Sequence, residues 1–123
     1  MRAALELLPE FVPARANLGV TLVAQGRYQE ATQQLQEALR VNPRYVPAYL
    51  IMGEALYRQG KMDEALQYYS RVLWVNPGIP AAAYYIVGDI ADRKGAPAEA
   101  RRHYEQALRV DPAFAPARAR LNR

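Results

Sequence analysis

Cysteine is absent from the 123-residue sequence, which removes both a disulfide framework and a thiolate metal site. The same absence leaves the compartment open, with cytoplasm favoured over periplasm. Histidine occurs once, at His103, so no imidazole cluster can hold a metal or relay a proton. No apolar run approaches the roughly 18 residues that span a bilayer, and the N-terminus lacks a signal-peptide core. Membrane insertion is therefore not expected. Lysine is scarce, at Lys61 and Lys94 only, and residues 1–100 carry equal numbers of basic and acidic side chains. The net charge of +4 comes from Arg101, Arg102, Arg109, Arg118, Arg120 and Arg123 against Glu105 and Asp111. No basic stripe follows one face, so nucleic acid is not an expected partner.

What the sequence does contain is a recurring pattern. Tyr49, Met52, Gly53 and Leu56 fall at i, i+3, i+4 and i+7, one apolar stripe on a helix. Gly60 ends that helix, and Asp63-Glu64 open a second one with acids at its positive end. Ala65, Tyr69, Val72 and Leu73 give the second helix its own stripe, and Pro77 stops it. Neither stripe closes a core alone, so the pair needs neighbours. The neighbours are copies of itself.

Tyr45-Val46-Pro47-Ala48-Tyr49-Leu50-Ile51-Met52-Gly53 restates Phe11-Val12-Pro13-Ala14-Arg15-Ala16-Asn17-Leu18-Gly19. Ala81 to Gly88 restates it again, and Phe114 to Asn122 begins a further copy. Gly19 and Gly53 are separated by the same step as Gly26 and Gly60; Gly53–Gly88 and Gly60–Gly95 are one residue longer. The extra residue belongs to the connection Asn76-Pro77-Gly78-Ile79-Pro80. Pro9, Pro43, Pro77 and Pro112 keep the same phase.

A helix-turn-helix unit of this length with small residues at fixed slots resembles the tetratricopeptide repeat family. The resemblance rests on Leu18-Gly19 with Leu22, Met52-Gly53 with Leu56, and Val87-Gly88 with Ala91. In the second helices it rests on Ala31, Leu35, Ala38 and Pro43, on Ala65, Tyr69, Val72 and Pro77, and on Ala100, Tyr104, Ala107 and Pro112. Departures are Arg15 in place of a leading aromatic, Val72 in place of a small residue, and a small Ala91. The resemblance implies an all-α fold, a right-handed α-solenoid of stacked hairpins. The expected organisation is the end of a preceding second helix over 1–11, repeats over 12–45, 46–80 and 81–114, and a truncated fourth repeat or capping helix over 115–123. Read so, the chain is a segment of a larger array, and its exposed repeat ends would allow copies to associate.

Gly19, Gly53 and Gly88 each cost a helix about 1 kcal/mol in propensity. Close approach of a partner helix is the expected compensation, with the small residues Ala31, Ala65 and Ala100 facing them. Catalytic chemistry is thin. His103 holds the slot of Gln34 and Tyr68 and is expected to face solvent; Ser70 has no histidine beside it; Asp63, Glu64 and Glu99 are acids at helix starts. No phosphate-binding glycine loop, metal cluster or cofactor site is present, and an enzyme is not expected.

Function is then a matter of surface. In the family that the chain resembles, the first helices line a concave groove, which implies that a protein or peptide partner binds there. The residues left over from each stripe are Ala16, Asn17, Val20 and Ala24 in the first repeat, and Leu50, Ile51, Glu54, Tyr57 and Arg58 in the second. The third offers Tyr85, Ile86, Asp89, Asp92 and Arg93, and the last copy adds Ala119, Arg120 and Arg123. Leu50-Ile51 and Tyr85-Ile86 are apolar where the stripe requires nothing apolar. Asn17, Val20, Leu50, Ile51, Glu54, Tyr57, Arg58, Tyr85, Ile86, Asp89 and Arg93 are therefore the expected groove, suited to an extended or helical peptide. The alternative is that these side chains fill contacts between successive first helices, or that repeats assemble into a scaffold, or that the segment is a targeting arm. Family members that clamp carboxylate-ended chaperone tails use lysine, asparagine and arginine at slots held here by Ala16, Val20, Ile51, Ala82 and Ile86. No such tail is expected to bind. Trp74, in the slot of Arg40 and Arg109, is expected to pack against the lengthened connection Gly78-Ile79-Pro80 beside it, with a contact anchor for a partner as the alternative.

Overall fold

The structure, a computed structural model, describes residues 11–73 and 78–122; the expectations for residues 1–9, Trp74 and Arg123 lie outside them. The described helices are α1 (Phe11–Ala24), α2 (Tyr28–Val41), α3 (Val46–Arg58), α4 (Met62–Ser70), α5 (Ala81–Arg93), α6 (Pro97–Val110) and α7 (Ala115–Leu121). There is no strand among the described residues, and no described helix is long and apolar enough to cross a membrane.

Two kinds of turn set the boundaries. After α1, α3 and α5 the chain passes through Gly26, Gly60 and Gly95 at φ of 76°, 81° and 79°, a conformation that costs any residue with a Cβ. At Gly60 the next amide, Lys61 N, donates back to Leu56 O at 2.9 Å while Gly60 N donates to Tyr57 O at 3.0 Å. That pair of bonds satisfies carbonyls the helix end would leave open. After α2 and α6 the turn is built by a side chain. Asn42 Oδ1 accepts from Arg44 N and Asp111 Oδ1 accepts from Ala113 N, each at 3.1 Å. Pro43 and Pro112 sit inside these turns, and Pro47 and Pro116 open α3 and α7 where a missing N–H costs nothing.

The chain divides into two compact units, Met1–Tyr68 and Tyr69–Arg123. In the first, α1 packs on α2 and α3, and α2 on α3. Leu22, Val23, Ala31 and Ala55 form a buried cluster, with Tyr28 and Ile51 against it. In the second, α5 packs on α6 and α6 on α7, around Ala81, Ala91, Ala100, Tyr104, Ala107 and Ala117. The second-helix stripes are buried as expected, Leu35 and Tyr104 at 0% and 2% exposure. Complete burial of one such side chain contributes about 1.5–3 kcal/mol.

Three expectations need correction. At Gly19 and Gly88 the nearest side chains are large: a Cβ on Gly19 would meet Leu35 Cδ2 at 2.9 Å, and one on Gly88 would meet Tyr104 Cε1 at 2.6 Å. The Ala100 carbonyl oxygen also comes within 3.2 Å of a Cβ on Gly88, the close approach expected of the partner helix. Each of these two glycines is thus the hole for a knob one turn further along that helix. His103 is buried, at 6% exposure, and its Nδ1 lies 3.0 Å from Gln106 Oε1. Its slot belongs to hairpin packing: in the first unit Gln34 accepts a hydrogen bond from Arg15 at 3.1 Å, and Tyr68 stacks obliquely on Tyr49 at 6.2 Å. The third correction is Ala16: expected among the groove-facing residues of the first repeat, it is buried at 2% exposure. Leu18, by contrast, is 44% exposed although Met52 and Val87, in the same slot, are buried. Met52 lies on α3, with α2 packed against that helix, whereas α1 is the first described helix.

Candidate functional site

In the first unit Ala16, expected on the leftover face of α1, is buried at 2% exposure, while Asn17 and Ala24 are exposed and Val20 is 50% exposed, an unusual display for a large aliphatic side chain. On α3, Leu50, Ile51, Glu54 and Tyr57 are half-buried and Arg58 is exposed. Arg58 Nε approaches Glu54 Oε2 at 3.7 Å, an i,i+4 pair at the surface. Ile51 is partly spent on the fold. It packs against the buried cluster of Leu22, Val23, Ala31 and Ala55.

The second unit is different in kind. Of its expected groove residues, Tyr85 is half-buried and Arg93 exposed, while Ile86 and Asp89 are buried at 9% and 2%. Asp89 is turned inward onto arginines. Arg93 Nε donates to Asp89 Oδ2 at 2.8 Å from one helical turn away, and Arg120 Nη2 on α7 reaches Asp89 Oδ1 at 2.9 Å. The other nitrogen, Arg120 Nη1, donates to Tyr104 Oη at 2.8 Å and to Asp92 Oδ2 at 3.3 Å. Tyr104 Oη in turn donates to Asp92 Oδ2 at 2.6 Å.

Aromatic rings complete this arrangement. The Arg120 guanidinium carbon lies 5.3 Å from the Tyr85 ring centroid and 5.8 Å from that of Tyr104. The two rings are themselves 5.6 Å apart, and Phe114, at the start of α7, meets Tyr85 edge-on at 5.9 Å. Such placement of a guanidinium over phenol faces is favourable electrostatically. Burial, with the hydrogen bond to Asp92 adding to it, pushes the Tyr104 phenol well above its usual range. Burial alone would lower the Arg120 value, but the hydrogen bond to Asp89 and the charges of the Tyr104 and Tyr85 phenol groups and of Asp89 outweigh it and raise it. Arg120 stays a cation.

The expected groove face held Asp89 and Arg93, and the last copy was expected to add Arg120 to it. The expectation did not pair them. The available signal was register: Arg120 stands in the slot of Ile51 and Ile86, and Asp92 in the slot of Val23. A charged pair replacing an apolar one at equivalent positions marks a joint of different chemistry.

Cavities add little. One of about 360 Å³ lies beside Asp92, Pro97, Arg101, Tyr104 and Arg120, and one of about 220 Å³ is walled by polar side chains such as Gln29, Gln36, Lys61 and Glu64. Among the described residues no group of three metal-ligating side chains converges.

Family models of the tetratricopeptide repeat match residues 16–83 and 81–114. No curated protein sequence matches the chain. Solved structures do. The crystal structure of MamA superposes with a TM-score of 0.78 at 26% identity, covering 94% of this chain and 67% of that one. The first TPR domain of human RPAP3 gives 0.83 at 21% identity, over 94% of this chain and 90% of that one. The first TPR of Spaghetti (RPAP3), solved bound to the HSP90 peptide SRMEEVD, gives 0.84 at 20% identity, over 95% and 92%. The shared architecture is an all-α helical repeat solenoid.

Proposed function

The chain belongs to the tetratricopeptide repeat family, and from that premise we propose that it is a non-catalytic interaction module holding a segment of another protein against its first helices. The observation that carries this reading is Val20, a large aliphatic side chain half exposed on the face of α1 left over from its stripe. Packing within the unit does not consume it, and a large exposed aliphatic group on a repeat surface is where a partner gains most from burial. Leu50 and Tyr57 of α3 extend the face, and the Glu54–Arg58 pair gives it a charged border. In the second unit the corresponding face keeps Tyr85 and Arg93 accessible.

The chemistry favours an apolar ligand over a charged one. The Spaghetti domain was solved with an acidic peptide, SRMEEVD. The slots through which relatives of that type hold a terminal carboxylate are Ala16, Val20, Ile51, Ala82 and Ile86 here, none of which donates a side-chain hydrogen bond. The partner segment is thus an amphipathic stretch whose apolar side meets Val20, Leu50 and Tyr57.

A photo-crosslinking residue at position 20 tests this, with the same residue at exposed Gln33 on α2 as control. Position 20 is expected to label a discrete partner and position 33 not to, with Val20→Asp abolishing capture by the full chain while leaving its helicity unchanged. Equal labelling from both positions would contradict the assignment of the face. A labelled SRMEEVD peptide is expected to show no saturable binding, and saturation at micromolar concentration would reverse the chemistry assigned to the ligand.

A further inference from the structure

Successive first helices meet at equivalent slots, and in the first unit that joint is apolar. Ile51 of α3 packs against the buried cluster of Leu22, Val23, Ala31 and Ala55, to which α1 contributes Leu22 and Val23. The slot of Ile51 is occupied in α7 by Arg120, and the slot of Val23 in α5 by Asp92. Nothing in helix stacking demands a charge there, since the apolar version works in the same chain. Burying Asp89, whose side chain is 3% exposed, carries a desolvation cost that only good partners offset. A buried ionic joint in place of an adequate apolar one is a device for choosing between partners.

We propose that Asp89, Asp92, Tyr85 and Tyr104 form a guanidinium-recognition pocket on the α5–α6 hairpin, and that Arg120 is the feature by which this hairpin selects α7 as the helix that seats on it. The pocket matches a guanidinium in shape as well as in charge. One nitrogen meets Asp89 at 2.9 Å, the other meets Tyr104 and Asp92, and the Tyr85 and Tyr104 rings lie 5.3 and 5.8 Å from the guanidinium carbon. Lysine offers a single ammonium and no plane to stack, so it satisfies one carboxylate at a time. The four members coincide only on the third hairpin. The same slots hold Ala16, Val20, Val23 and Leu35 on the first, and Leu50, Glu54, Tyr57 and Tyr69 on the second. Helices with Asn17, Ile51 or Ile86 in the reading position would leave Asp89 buried without its α7 cation. The pocket thereby excludes the first helices of the other repeats from the seat of α7.

The inference is independent of the proposed partner-binding face, because its readout is the seating of α7. Hydrogen exchange of the full chain tests it, with α1–α3 protection showing that each variant still folds. Arg120→Ile is expected to raise exchange of the α7 amides by about tenfold or more, and Arg120→Lys to recover only part of the protection. Combining Arg120→Ile with Asp89→Val and Asp92→Val copies the apolar joint and is expected to bring α7 protection back to near the wild-type level. A synthetic peptide copying residues 111–122, added to the full-length Arg120→Ala chain, is expected to raise its thermal midpoint. The same peptide with citrulline at position 120 is expected not to. Should Arg120→Ile leave α7 exchange within about twofold of wild type, or should the citrulline peptide work equally well, the pocket does not read arginine.

Discussion

Gly88 lies under the ring of Tyr104: a methyl group at residue 88 would stand 2.6 Å from Cε1 and 2.8 Å from Cδ1. The ring has no room to give way. Tyr104 is 2% exposed, and its hydroxyl is tied to Asp92 at 2.6 Å and to Arg120 at 2.8 Å. A methyl group at the register-equivalent Gly19 would stand 2.9 Å from the branched end of Leu35 instead, a side chain with two rotatable bonds and no polar tether.

These two contacts predict different outcomes for one substitution. Glycine to alanine in a helix gains about 1 kcal/mol of propensity. Overpacking against a fixed ring costs about 1–3 kcal/mol, so Gly88→Ala is expected to lower stability and to loosen the Arg120 pocket with it. Gly19→Ala is expected to fall within about 1 kcal/mol of wild type, because a small shift of Leu35 relieves most of the clash. Urea unfolding of each variant checks the pair, and equal losses would show that the tether on Tyr104 is irrelevant.

Much of this fold was legible from spacing. The phase of Gly26, Gly60 and Gly95 located the left-handed turns, and Leu35, Tyr69 and Tyr104 were identifiable as core because stripe periodicity needs no tertiary information. Contacts between hairpins were harder. Which side chain enters the hole above Gly19 depends on helix crossing, and the sequence pattern alone favoured Ala31 over Leu35. His103 was misplaced for a related reason. Gln34 and Tyr68 in its slot look polar enough for solvent, yet each is half-buried against the first helix of its own hairpin. Asp89 and Arg120 both stood among the expected surface residues, but nothing in periodicity says that two charges far apart in sequence will meet.

The Arg15 departure from the family pattern has a structural counterpart that can be exploited. Arg15 Nη1 donates to Gln34 Oε1 at 3.1 Å, where the second hairpin has Tyr49 against Tyr68 at 6.2 Å. Replacing the first pair by Arg15→Tyr with Gln34→Tyr transplants the aromatic contact to a matching site. Aromatic pairs contribute about 0.5–1.5 kcal/mol beyond their buried area, so a favourable coupling energy of that order is expected. A double-mutant cycle measures it directly. Zero coupling would mean that the slots, though in register, are not packed alike.

The last prediction concerns alkaline pH. Burial first, and then the hydrogen bond to Asp92, raise the Tyr104 phenol above its ordinary value; Asp89 acts the same way and Arg120 opposes it. In the unfolded chain the phenol ionises near pH ~10. Below that pH both states hold the proton, and the stabilisation from the buried neutral phenol is fully present. As pH rises further the unfolded state loses the proton first, so unfolding releases it and stability falls by about 1.4 kcal/mol per pH unit until the folded phenol also titrates. Tyr104→Phe has no proton to lose at this position. It is expected to be less stable than wild type at neutral pH by about 1–3 kcal/mol, because Asp92 and Arg120 each lose a partner. That gap is expected to narrow steadily above pH ~10. Urea titrations of both chains at about pH 8 and about pH 11 supply the comparison, and the other tyrosines, common to both, cancel from the difference. A gap that stays constant across that range would mean that the phenol of Tyr104 ionises as readily in the folded protein as in the unfolded chain.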